Sequence, residues 1–151
     1  MYTRKHTYVV SKIIEAPILY VYEWCTDFQE SDPKLTSSKN KRIILFRTKD
    51  RVVYVSQFVK HGQLRNAVYV VTLYPKKKAW HLDYHGDGDD EVGEYALVKL
   101  SAKRTRLNMT FKDSYKIRNP PSKSADSKRT NEMWDKYVTA IEKDYARSQR
   151  T

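Results

Sequence analysis

An α+β fold is predicted for this chain: a curved, seven-stranded antiparallel sheet wrapped around one long C-terminal helix, with two short helices after the first strand. Three observations carry the prediction. Met133, Trp134, Tyr137, Val138, Ile141 and Tyr145 recur at helical spacing over roughly Ser124 to Arg147, while Lys128, Asp135, Lys136, Thr139, Glu142, Lys143 and Arg147 occupy the other faces. From Lys41 to Tyr115 the chain reads as strands at short spacing, punctuated by turn residues. The last strands alternate: Trp80, Leu82 and Tyr84 with His81, Asp83 and His85, then Leu107, Met109 and Phe111 with Asn108, Thr110 and Lys112. That alternation marks one apolar face, and a long helix unstable alone in water supplies its cover. Burying the helix stripe contributes on the order of 10 kcal/mol as an upper bound.

Taken in order, Thr7 to Glu15 is β-branched and aromatic and forms the first strand. Ala16-Pro17 ends it, and Pro17 suits the first turn of a helix, where its missing N–H would have no partner. Ile18, Val21, Tyr22 and Cys25 share one face of that helix. Asp27 to Pro33 is polar and broken, which predicts a second short helix or turn, and Ser37-Ser38-Lys39-Asn40 is a loop. Arg42 to Thr48 and Val52 to Val59 are strands joined at Lys49-Asp50, with the next turn at His61-Gly62. Asn66 to Tyr74, closed by Pro75 and three lysines, is followed by Ala79 to His85. Gly86-Asp87-Gly88-Asp89-Asp90 is a turn signal between that strand and Glu91 to Leu100. Thr105 to Tyr115 is the last strand, Pro120-Pro121 stops it, and Ser124 or Ser127 caps the final helix. Short connections imply antiparallel neighbours. With no repeat or linker, residues 1–151 read as one domain.

Composition sets the class of molecule. Hydrophobic residues make up 40% and charged residues 31%, which excludes a disordered chain. No apolar run reaches the length of a membrane span, and the first six residues lack the apolar core of a signal peptide. The single cysteine, Cys25, excludes an internal disulfide, fits a reducing cytoplasm and, in an apolar stripe, reads as packing rather than as a nucleophile. The net charge of +11 is uneven: Asp83, Asp87, Asp89, Asp90, Glu91 and Glu94 crowd one stretch, while residues 99–151 are strongly basic. Such a surface favours anionic partners, an anionic membrane or nucleic acid among them, without choosing between them, and a solvated basic face is the simpler reading. No nucleic-acid motif accompanies it.

Ile14-Glu15-Ala16-Pro17, then Val21-Tyr22-Glu23-Trp24-Cys25-Thr26-Asp27-Phe28, the hairpin stretch Lys103-Arg104-Thr105-Arg106-Leu107 and the closing amphipathic helix together carry a resemblance. In this order they resemble the START-like (SRPBCC) superfamily of helix-grip proteins, which includes birch-pollen-type allergens, polyketide cyclases and lipid-transfer domains. The resemblance spans nearly the whole chain. It implies a cavity between helix and sheet for an apolar ligand, a hydrophobic small molecule or lipid. No catalytic residue is universal to the superfamily, so none transfers, and no cofactor is implied. Gly62 to Arg65 lacks the Gly-rich loop that some allergen-type members place over phosphate.

Two metal-like patterns have simpler explanations. His81, Asp83 and His85 point the same way on a strand and could ligate zinc, but they also form the polar outer face opposite Trp80, Leu82 and Tyr84. Asp87, Asp89, Asp90 and Glu91 lack the spacing of a calcium loop and read as a solvated hairpin turn. The aromatic content is more informative: 13% of residues are Phe, Trp or Tyr. Aromatic walls with a few hydroxyls suit a cavity for a flat or isoprenoid ligand. The expected wall is Trp80, Leu82, Tyr84, Tyr95, Leu97, Leu107, Met109 and Phe111 from the sheet, with Met133, Trp134, Tyr137 and Ile141 from the helix. A binding or carrier module is the leading function. The alternatives are a cyclase- or hydratase-like enzyme in the same cavity and a basic module for RNA or ribosomes. An enzyme would need an acid–base pair inside the cavity, and the predicted inward faces offer none.

Overall fold

The computed structural model describes residues 1–30, 40–60 and 62–150. The elements run β1 (Arg4–Ile14), α1 (Ile18–Thr26), β2 (Lys41–Arg47), β3 (Arg51–Lys60), β4 (Gln63–Tyr74), β5 (Ala79–Gly86), β6 (Asp89–Ser101), β7 (Arg104–Tyr115) and α2 (Lys123–Ser148). All seven strands form one antiparallel sheet in the order β1-β7-β6-β5-β4-β3-β2. β2 to β7 are a meander of successive neighbours, the outcome of short connections. β1 closes onto β7, and α1 lies in the connection that carries the chain from one edge of the sheet to the other. No helix among the described residues is long and apolar enough to cross a membrane.

The long helix runs along β1 in the same direction. His6 Nε2 lies 2.8 Å from Asp126 Oδ2, the Tyr8 and Thr130 hydroxyls are 2.9 Å apart, Lys12 Nζ is 2.7 Å from Asp135 Oδ1, and the Glu15 N–H donates to Glu142 Oε2 at 2.7 Å. The inner strand positions match the alternation: Leu107, Met109 and Phe111 are buried on β7, Tyr8, Val10 and Ile14 on β1. On α2 the buried positions are Asp126, Thr130, Trp134 and Ile141. The inner stripe therefore continues toward the N-terminus through two polar residues, at the same four-residue step back from Trp134.

Several expected boundaries move. The Gly86-to-Asp90 turn contracts to Asp87-Gly88, because β5 keeps Gly86 and β6 begins at Asp89, which pairs with Tyr115. Gly88 makes that tight turn possible: its φ is 90°, and a Cβ there would meet Ile117 Cγ2 at 2.5 Å. Asp27 to Glu30 is not helical, with Phe28 at a φ of 45°, and the rest of the expected second short helix and the Ser37-to-Lys39 loop lie outside the described residues. His61 also lies outside them, while Gly62 has a φ of 77°. The helix cap is Ser122, not Ser124 or Ser127, since Lys123 already adopts the helix and the Ser122 hydroxyl accepts from Ala125 N–H at 3.1 Å. Ser122→Ala is expected to cost about 1 kcal/mol in urea unfolding, and Ser124→Ala much less.

Candidate functional site: an aromatic cavity between the long helix and the sheet

Because α2 lies along β1, it covers the β1–β7–β6 side of the concave face and leaves the β3–β5 side to be bridged by side chains. That side carries Val52, Val71 and Leu82 beside the rings of Tyr54, Tyr69 and Tyr84. A cavity of about 420 Å³ remains, walled by the sheet, α2 and the C-terminal end of α1. Tyr54 and Tyr69 stack at 4.6 Å and 11°, and Tyr69 meets Tyr84 edge-on at 5.2 Å. Trp80 stacks on Tyr95 at 4.9 Å and 10°, and Tyr95 meets Phe111 edge-on at 88°. Gly93 permits that arrangement: a Cβ there would stand 2.8 Å from Tyr95 Cε2. On the helix side Trp134 and Tyr137 form an edge-on pair at 5.0 Å.

Eight of the twelve residues expected from sequence line this cavity: Trp80, Leu82, Tyr84, Tyr95, Phe111, Met133, Trp134 and Tyr137. Leu97, Leu107, Met109 and Ile141 are buried in the continuous core and do not reach the cavity wall. Sequence reasoning missed Tyr54, Phe58 and Tyr69 of β3 and β4, and Trp24 and Phe28 around the end of α1. The strand residues carried no alternation signal, because Val53 and Val55 beside Tyr54, and Val68 and Val70 beside Tyr69, are themselves apolar. Cys25 is half-buried: it packs against the core and also lines the cavity.

The polar part of the wall was not anticipated. Glu91, read from sequence as part of a solvated turn, lies on β6 with the inward parity of Tyr95 and lines the cavity. The reason is register: once the turn contracts, Glu91 pairs with Tyr84 on one side and Asp113 on the other. With the neighbouring pairings, Tyr54, Tyr69, Tyr84, Glu91, Asp113 and His6 form one row across six strands, one residue from each. The row begins at the Arg42 guanidinium, 4.4 Å from the Tyr54 ring centroid, and ends under the first turns of α2.

There Asp126, fully buried, gathers its neighbours. The Tyr115 hydroxyl donates to Oδ2 at 2.6 Å, His6 Nε2 is 2.8 Å from the same oxygen, and Arg129 Nη1 is 3.2 Å from Oδ1. Burial alone would raise the Asp126 pKa, but Tyr115, Arg129, His6 and Asp113 outweigh it and hold the carboxyl below its ordinary value. Burial would likewise lower the pKa of Arg129, yet Asp126, Tyr115, Tyr8 and Glu91 raise it, so the guanidinium stays charged beside the cavity it lines. Burial pushes the Tyr69 and Tyr95 phenols well up, so both remain neutral hydroxyls. His6, Asp113 and Asp126 bring three ligand atoms within 4.8 Å of one another. The guanidinium and phenol already on Asp126 make this an ion-paired clamp on α2. The two expected outer-face histidines part: His81 engages Asp83 and Glu94, and His85 engages Asp90.

No family profile and no curated protein sequence matches the chain. Solved structures do. The chain is similar to the Zhui aromatase/cyclase from a Streptomyces species, with a TM-score of 0.76 at 15% identity over 95% of each chain. This is the START-like helix-grip fold. A START superfamily protein from Mycobacterium smegmatis aligns over 97% of this chain and 99% of its own at 18% identity and a TM-score of 0.72. Norcoclaurine synthase from Thalictrum flavum, solved with dopamine and hydroxybenzaldehyde, aligns over 93% of this chain and 86% of its own at 12% identity and a TM-score of 0.69. In this chain, as the contacts of α2 show, the long helix grips the sheet from the β1 side.

Proposed function

We propose that this chain binds a compact, ring-bearing hydrophobic small molecule between α2 and the sheet, as a carrier or binding module. The observation that carries the reading is the cavity itself. Its volume of about 420 Å³ lies in the range of small-molecule sites, and aromatic side chains are the largest class in its wall. Offset and edge-on rings present both faces and hydroxyl edges to a flat ligand. The aromatase/cyclase and the norcoclaurine synthase among the similar structures support an aromatic ligand over an extended lipid chain. The single cysteine supports a cytoplasmic setting. The basic surface supports peripheral contact with an anionic membrane or nucleic acid by charge alone.

A flat apolar dye such as a naphthalene sulfonate is expected to quench Trp134 and Trp80 and to raise the melting temperature with concentration. Ligand at about a hundredfold over Kd adds about 2.7 kcal/mol to stability. Leu82→Trp, which fills the cavity, and Tyr137→Ala, which removes a wall, should each weaken binding by tenfold or more, while exposed Lys143→Ala leaves it unchanged. Leu82→Trp binding as the wild type does, or no quenching in the wild type, would show that the interior does not serve as the site.

A further inference from the structure

We infer that the β2 edge of the sheet docks on an anionic lipid bilayer, with Ile43, Leu45 and Phe46 entering the interface and Lys41, Lys49 and Arg51 meeting headgroup phosphates. A β-bulge builds this surface. Strict alternation along β2 would send Phe46 inward after Arg42 and Ile44. Instead the register with β3 shifts between Ile44 and Phe46, so Leu45 is the extra residue and Phe46 pairs with Val53 on the outer face. Ile43, paired with Val55, shares that face. Three large apolar side chains are therefore turned out: Ile43 is 60% exposed, Leu45 61% and Phe46 51%. The pairing continues the patch through Val53 and Val55 to Val70 and Val68 on β4. On β1, by contrast, exposed Val9 pairs with Thr110 and exposed Ile13 with Arg106. A contiguous exposed patch marks an interaction site, whereas single exposed apolar residues need no partner.

The charges around the patch select its occupant. Lys41 stands two residues before Ile43 and Arg51 two before Val53, so alternation puts both on the outer face at opposite ends of the patch. Lys49 lies in the turn between β2 and β3. All three cations are exposed, and among the described residues none makes an ion pair. Two acids lie beside this edge and both are engaged: Asp50 accepts from the Thr48 hydroxyl at 2.9 Å and Glu30 from the Ile44 N–H at 3.3 Å. Asp83 ends the outer row of Phe46, Val53 and Val70, but it sits on β5. Three strand spacings separate it from β2, about 14 Å, which exceeds the screening length of about 10 Å in 0.1 M salt. A cationic edge with acids further back orients the molecule edge-first on an anionic surface. A bilayer interface suits such an edge, because it takes in apolar side chains while lysine and arginine stay with the phosphates. A rigid partner would need a broad face, and exposure here falls inward from β2, to 40% at Val68 and less at Val53, Val55 and Val70. Asn40 and Arg42 line the cavity, so docking sets that wall close to the lipid.

The test is co-sedimentation of the full chain with vesicles of phosphatidylserine and phosphatidylcholine, and with vesicles of phosphatidylcholine alone, beside sedimentation velocity without lipid. The wild type should bind the mixed vesicles, more weakly as salt is added, and bind phosphatidylcholine alone at least roughly tenfold more weakly. The double variant Leu45→Ser with Phe46→Ser keeps the charge and should bind the mixed vesicles at least roughly tenfold more weakly. Lys49→Ala should lose about fivefold, and Lys143→Ala, on α2, should bind as wild type. If the double variant does not fold, Leu45→Ser alone, at the extra residue of the bulge, should still weaken binding severalfold. Binding that is absent, equal on both vesicles, or unchanged in the folded serine variants overturns the assignment. A wild-type dimer that the serine substitutions dissociate, without vesicle binding, assigns the edge to a second copy and also overturns it. Each of these results leaves the ligand reading untouched.

Discussion

Asp126→Ala is expected to destabilise the fold by about 3–5 kcal/mol at neutral pH, the usual cost of breaking a buried ion pair from one side. The substitution leaves the Tyr115 hydroxyl and His6 without their shared carboxylate and Arg129 without its 3.2 Å partner, under a helix turn that is fully buried at this position. The effect depends on pH in a defined direction. The Asp126 pKa is lower folded than its ordinary value, so its stabilising contribution is complete above the unfolded carboxyl pKa of about 3.9 and fades as pH falls through the folded value. Urea midpoints should therefore differ most between wild type and Asp126→Ala at pH near 7 and converge below about pH 4. A difference that persists unchanged into strong acid would mean that the clamp acts by packing and not by charge.

Ending the chain after Pro121, which removes α2, is expected to abolish cooperative unfolding altogether. Without the helix, the inward faces of Val10, Ile14, Leu107, Met109 and Phe111 open to water, and each is at most 3% exposed in the intact fold. At about 25 cal/mol per Å² of apolar surface, losing this burial is comparable to the whole net stability of an ordinary domain. The readout is near-ultraviolet circular dichroism through a urea titration. A monomeric truncated chain with a sharp transition would show that the sheet has a core independent of α2.

Much of the fold was legible because its determinants are local. The alternation of Trp80, Leu82 and Tyr84 and of Leu107, Met109 and Phe111 named the inner face, since a strand turns successive side chains to opposite sides whatever its partners are. The helical spacing from Met133 to Tyr145 named the covering element for the same kind of reason. Eight residues drawn from these two periods line the cavity. The same periods also named Leu97, Leu107, Met109 and Ile141, which pack in the core, because a period identifies a face and not a depth along it. The turn was read too long because pairing sets its length: Gly86 to Asp90, five turn-forming residues, became a turn of two once Asp89 paired with Tyr115, and Glu91, expected at the start of the strand and grouped with the turn's acidic residues, lies two residues inside it.

The sequence by itself thus determined the elements, their faces and the need for a helix over the sheet, all of which follow from periodicity and backbone preference. Only the tertiary structure decided where the helix lies. Its ion pairs and hydrogen bonds to His6, Tyr8, Lys12 and Glu15 draw α2 over β1, and a cavity remains on the other side of the concave face. Only the register of six strands decided that Tyr54, Tyr69, Tyr84, Glu91, Asp113 and His6 share one row. Those residues are up to 107 positions apart, and no local preference couples them; hydrogen-bond pairing between strands does.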